Sequence, residues 1–144
     1  MKKYIIIFTT LFLIPVVSFS QSSDPLISKC ATNTGTNSTY LKDFRVQLGK
    51  CNPQTELRYK QVFPLSKNMK YRFTLCNPDN SKSELIMKVK DDTGRIILAS
   101  FDQKSGKTFP SIDFTCNKTG TYQLYFDFRD FQQGLGVGII SLIK

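Results

Sequence analysis

The chain has 144 residues, with 20 Lys and Arg against 11 Asp and Glu, no histidine, and a formal net charge of +9. That length fits one domain, and the missing imidazole removes Ser-His and Cys-His nucleophile pairs and every histidine-containing zinc site. A small basic domain is left, whose excess charge draws it toward something anionic.

Taken in order, Lys2 and Lys3 precede an apolar run from Tyr4 to Val17, and Ser18-Phe19-Ser20 supplies small residues for cleavage. This is the layout of an export signal, residues 1–20, cut between Ser20 and Gln21. A retained anchor needs about 20 apolar residues; this run is shorter and Pro15 interrupts it, so the mature chain is expected not to span a membrane. A lipoprotein anchor at Cys30 is excluded because Lys29 precedes it and the signal ends well upstream. Residues 21–40, rich in Ser, Thr and Asn and with Gly35, read as a flexible leader fixed mainly by Cys30. Asn37-Ser38-Thr39 and Asn117-Lys118-Thr119 match the glycosylation sequon and fit exposed turns, as chance matches in a bacterial product would.

Residues 41–144 read as the folded domain. The first strand is expected over 41–48, with Phe44, Val46 and Leu48 inward, before Gly49 to Pro53 breaks it. Leu57, Tyr59, Phe63 and Leu65 mark a second strand, and Pro64 makes its end an edge or bulge. Met69, Tyr71, Phe73 and Leu75 mark a third, stopping at Cys76 and the turn Asn77-Pro78-Asp79-Asn80. Leu85, Met87 and Val89 give a fourth. Asp91 to Gly94 turns into a fifth, from Ile96 to Phe101, which is apolar on both faces and so is placed in the middle of a sheet.

After a polar loop comes the stretch that organises the rest. Ile112, Phe114 and Cys116 alternate with polar residues, Asn117 to Gly120 turns, and Tyr122, Leu124, Phe126 and Phe128 alternate again. It reads as a hairpin with one apolar face that a second sheet must cover. In the last strand Val137, Ile139 and Ile143 are expected inward, and Ile140 and Leu142 outward. The total is an all-β, antiparallel β-sandwich of about eight strands, jelly-roll-like, with strand order undetermined.

The four cysteines Cys30, Cys51, Cys76 and Cys116 all follow the cleavage point, and an even count in an exported chain points to disulfides. The similar contexts YRFTLCN and IDFTCN favour Cys76 with Cys116, leaving Cys30 with Cys51. No C-x-x-C occurs, so no metal is expected. Asp79, Asp91, Asp92, Asp127 and Asp130 are enough oxygens for calcium but lack the spacing that would converge them. Asp92-Thr93-Gly94 matches an aspartic-protease triplet, but a second carboxylate copy is missing and a tight hairpin turn explains it. Ser66-Lys67, Ser81-Lys82 and Ser105 with Lys107 are ordinary loop composition. No nucleotide loop is present, so neither catalysis nor a cofactor is expected.

Removing Lys2 and Lys3 leaves 18 basic against 11 acidic residues, about +7. The excess is concentrated in Lys42, Arg45, Lys50, Arg58, Lys60, Lys67, Lys70 and Arg72, against only Asp43 and Glu56. These eight are the candidate contacts with an anionic partner. Tyr40, Tyr59, Tyr125 and Phe131 are candidate platforms for stacking on sugar. Nucleic acid is not indicated, since the basic stretch lacks a recognition helix or an aromatic-basic strand signature.

From Tyr71 onward the chain resembles the bacterial pre-peptidase C-terminal family of β-sandwich domains. The resemblance lies in YRFTL at Tyr71 to Leu75, VKDDTGRIILAS at Val89 to Ser100, and IDFTCNKTGTYQLYF at Ile112 to Phe126. It covers about half of the mature chain, and it implies a noncatalytic accessory of exported enzymes. The present chain departs in standing alone, in its four cysteines and in lacking acidic calcium clusters. The expectation is a noncatalytic periplasmic or cell-surface module docking through its basic region onto an envelope protein or an anionic glycolipid such as lipopolysaccharide. A carbohydrate-binding module and an inhibitor of secreted proteases are the alternatives.

Overall fold

The computed structural model describes residues 24–144, so the expected signal 1–20 and the start of the leader lie outside the described residues. Helix α1 (Pro25–Thr32) is followed by β1 (Ser38–Leu48), β2 (Tyr59–Leu65), β3 (Lys70–Cys76), β4 (Leu85–Lys90), β5 (Ile96–Ala99), β6 (Ser111–Thr115), β7 (Gly120–Phe128) and β8 (Gly134–Ile143). The strands form two four-stranded antiparallel sheets, ordered β1-β8-β3-β6 and β2-β7-β4-β5.

The topology follows from one pairing rule. Strand β4 pairs with β5, β3 with β6, β2 with β7 and β1 with β8. The chain is thus one long antiparallel ribbon doubled at the β4–β5 turn and wound on itself, with β8 meeting β3 and β7 meeting β4 to complete the sheets. This is the eight-stranded jelly roll. At the tip of the ribbon, Asp91 Oδ1 accepts from the backbone N–H groups of Thr93 and Arg95, both at 3.0 Å, and Gly94 has φ +83°. The Asp-Thr-Gly triplet is therefore a hairpin turn, with glycine at the position where a Cβ would be strained.

The core lies between the sheets. Phe44, Phe73, Leu75, Met87, Val89, Leu124, Phe126 and Phe128 are all buried there. The Phe44 and Phe126 rings meet across the sandwich with centroids 5.4 Å apart. The aromatic face of β7 is covered by a second sheet, as its alternation demands. Pro64 lies on β2, an edge strand, where its missing N–H costs no ladder bond.

Several expectations are corrected. Asn117 to Gly120 does not close a hairpin: β6 belongs to the first sheet and β7 to the second, so the turn crosses between layers. Phe114 and Tyr122 then face each other edge-on through the core, at 6.5 Å. Strand β5 lies at a sheet edge, not in the middle, because the tip of a doubled ribbon is wound to the outside; Ile96 is 49 % exposed. In β8 the faces are reversed. Gly136, Gly138 and Ile140 face the core, whereas Val137 and Ile139 face outward beneath α1. The facing aromatics decide this: a Cβ on Gly138 would stand 2.6 Å from Phe126 Cε1, and one on Gly134 2.5 Å from Phe128 Cδ1.

The segment read as a flexible leader instead carries α1, capped by Asp24, whose Oδ1 accepts from Leu26 N at 2.9 Å. Pro25 sits at the first helical position, where its missing N–H is harmless. Leu26, Ile27, Cys30 and Ala31 cover Val137 and Ile139. A disulfide joins Cys30 to Cys76, and Cys51 and Cys116 are free. Neither expected pairing forms, because Cys116 points into the core whereas Cys76, one residue out of phase with Leu75, points outward under the helix.

Alkylation under denaturing conditions should therefore trap two thiols per chain, and alkylation of the native protein only Cys51, since Cys116 is 1 % exposed. The Cys30→Ser/Cys76→Ser variant opens a cross-link of sequence separation 46. It should lower the unfolding free energy in urea by about 3–4 kcal/mol.

Candidate functional site

The outward face of the first sheet is largely occupied. Helix α1 lies over it, Asp24 pairs with Arg45 Nε at 3.1 Å, and Arg72 Nη1 donates to Thr34 O at 3.0 Å. The outward face of the second sheet carries no helix among the described residues, only the loop before β2 at one end, and its side chains follow from strand parity. Lys60, Tyr125, Lys88 and Ala99 form one row across β2, β7, β4 and β5, and Val62, Gln123, Lys90 and Ile96 form the next.

The Lys60 ammonium of the first row and the Lys90 ammonium of the next lie 5.2 and 4.8 Å from the centroid of Tyr125. The ring attracts them through its negative face. Lys90 is also bound by both oxygens of Glu56, at 3.0 and 2.9 Å. That contact raises the Lys90 pKa and, through the hydrogen bond first and charge second, lowers that of Glu56. Lys60 and Lys88 have no ion-pair partner among the described residues.

Beside this row opens a cleft of about 550 Å³. Its apolar wall includes Leu57, Ile86, Phe101 and Phe131, and Leu57 and Ile86 pack with Tyr125 as a small outer core. Lys88, Lys104 and Arg129 stand on its rim. The loop before β2 is clamped onto the sheet by Asp127. That carboxylate is fully buried and takes three bonds from Arg58, from N and Nε at 2.9 Å and Nη2 at 2.8 Å, plus the Phe128 N–H at 2.7 Å. The paired carboxylate raises the Arg58 pKa. On the far wall, Asp130 and Phe131 have φ of 56° and 54°. Left-handed backbone costs about 1–2 kcal/mol per non-glycine residue, and two in succession are unusual. The Phe131 carbonyl holds this turn by accepting from Cys51 N at 3.2 Å.

The eight basic residues singled out from the sequence do not share one surface. Lys42, Arg45, Lys70 and Arg72 belong to the first sheet, Lys60 to the second, Arg58 precedes β2, and Lys50 and Lys67 lie in loops. Arg45 is paired with Asp24, Arg58 with Asp127, and Lys70 and Arg72 share Asp113, at 3.8 and 2.6 Å. Lys88, outside that stretch, was missed, although the alternation Leu85, Met87, Val89 already places it on the opposite face.

Of the ring platforms, Tyr59 packs edge-on against Phe126 in the core, at 5.9 Å, and Tyr125 is 8 % exposed beneath its lysines. Tyr40 is half exposed and donates to Asp43, and Phe131 alone of the four lines the cleft. The five aspartates considered for calcium do not converge, and no group of three acidic or cysteine residues suited to a metal occurs among the described residues. No helix among them is long and apolar enough to cross a membrane. No protein-family model and no curated protein matches the chain.

Asp127→Ala removes one partner of a buried pair and should cost about 3 kcal/mol or more in chemical denaturation. Asp91, Asp102 and Asp113, like Glu56, have pKa values lowered mainly by side-chain hydrogen bonds, from Thr93, Ser105 and Arg72 respectively. A lowered carboxylate contributes stability above its unfolded pKa of about 4 and loses it as pH falls through the folded value. Thermal melts should show a Tm nearly constant between about pH 8 and 5, falling below about pH 4.

Proposed function

We propose that the protein is a noncatalytic exported binding module that docks an anionic glycolipid, of the lipopolysaccharide kind, on the outward face of its second sheet. The observation that carries this reading is the row in which Lys60 and Lys88 flank Tyr125 without a carboxylate of their own, next to the cleft. Lysine ammonium groups act as mobile point charges suited to phosphate and carboxylate headgroups. The exported location is supported by the layout of the N-terminal sequence, and the Cys30–Cys76 disulfide suits an oxidising compartment. The noncatalytic reading is supported by the lack of histidine and by most of the acidic groups being spent on internal contacts.

Binding to lipopolysaccharide aggregates should weaken steeply between about 0.01 and 1 M salt, over which the Debye length shrinks from about 30 to 3 Å. Lys60→Glu/Lys88→Glu should reduce affinity about tenfold or more. Lys42→Glu/Lys67→Glu, off this face, should leave most of it. Salt-independent binding, equal losses in both variants, or capture of an envelope protein with no glycolipid binding would each overturn the proposal.

A further inference from the structure

Resting on that reading, we infer that the cleft beside the lysine row takes the single acyl chain of an anionic amphiphile, with the headgroup held on Lys88, Lys104 and Arg129. The module would then capture a lipid molecule and not merely touch a charged surface. Three observations converge on this occupant.

The first is shape and chemistry. At about 550 Å³ the cleft lies within the range of small-molecule sites, and Leu57, Ile86, Phe101 and Phe131 give it an apolar wall. Aliphatic and aromatic carbon of this kind gains from an alkyl chain, each buried methylene contributing favourably to binding.

The second is charge. Lys88 and Lys104 are unpaired among the described residues. Arg129 stacks over Phe101 at 4.8 Å and has Glu84 only at 3.6 Å. Of the nearby carboxylates, Glu56 is neutralised by Lys90 and Asp127 by Arg58, whereas Asp102, bonded to Lys104 N and the Ser105 hydroxyl, keeps its charge. Asp130 on the rim has no side-chain contact among the described residues. Lys88 and Lys104, without ion pairs among the described residues, are the groups on the rim that can meet a negative headgroup beside the apolar wall.

The third is backbone strain. Asp130 and Phe131 occupy left-handed conformations in succession without glycine, and the second of them supplies a wall of the cleft. Strain retained at a cleft is a mark of a site that needs its shape.

The test is calorimetric titration of the full mature chain, below the critical micelle concentrations, with dodecyl phosphate, dodecyl maltoside and inorganic phosphate. Dodecyl phosphate should bind at a single site at least about tenfold more tightly than either the neutral amphiphile of the same tail or the headgroup alone. Lys88→Ser/Lys104→Ser should abolish the preference for the phosphate head. Phe131→Gly should weaken binding without lowering Tm by more than its lost packing, because glycine relieves the strained φ. Should that variant misfold, NMR mapping on the unaltered protein decides: the signals that move on titration should be those of Ile86, Phe101 and Phe131. Equal affinity for the two dodecyl compounds, or shifts elsewhere, would overturn the inference. If lipopolysaccharide still binds through Lys60 and Lys88 while dodecyl phosphate does not, this inference fails and the proposed function stands; if neither binds, both fail.

Discussion

A carboxylate at zero exposure must find its hydrogen bonds inside the protein, and Asp127 finds four. Three come from Arg58, sixty-nine residues earlier, so one ion pair fixes the loop before β2 against the middle of the second sheet. Arg58 also reaches back to Gly49 O at 2.5 Å, at the beginning of that loop. With both ends of the loop tied to one guanidinium, Leu57 is pressed onto Ile86 and Tyr125, and Glu56 is brought to Lys90. The near wall of the cleft exists because this pair does. A buried pair of this type adds little net stability over an apolar substitute, but it specifies one arrangement, since losing either partner leaves the other uncompensated.

The two outward faces of the sandwich have been put to opposite uses. On the first sheet, Val137 and Ile139 would be an exposed apolar strip, and α1 covers it under a covalent staple at Cys30–Cys76. On the second sheet the corresponding strip carries Lys60, Lys88 and Lys90 about a tyrosine shielded by Leu57, and no helix among the described residues lies across it. Basic groups on the first sheet are largely consumed by Asp24 and Asp113. The net charge of the chain therefore overstates how much of it is free to meet a partner, and the free part is not where the linear density of lysine and arginine is greatest.

The core shows the same competition between local and distant demands. Large side chains from both sheets fill the space between the layers, and β8 can approach Phe126, Phe128 and Leu85 opposite it only by giving up its own side chains at Gly134, Gly136 and Gly138. Isoleucine and valine are displaced to the other side, and a helix is then required to bury them. The N-terminal helix is thus a consequence of the aromatic content of β7, eighty residues or more further along the chain.

How much of this was legible depends on the range of the interaction. Strand existence and most facing could be read because the two-residue period is a property of consecutive residues: Phe44 and Val46, Tyr71 and Phe73, and Tyr122 to Phe128 all face as their alternation requires. The same parity contained unused information, since Cys76 is out of phase with Leu75 while Cys116 is in phase with Phe114, which already sets the two sulfurs on opposite sides of the first sheet. The last strand could not be read, because it is apolar on both faces and only the rings opposite it decide which face takes the glycines. Sequence alone determined a single small basic all-β domain without imidazole chemistry. The sheet each strand joins, the partner of Cys30, and the meeting of Lys60, Lys88 and the Phe131 cleft were decided by tertiary structure, because they depend on winding a doubled ribbon so that residues far apart in the chain share one surface.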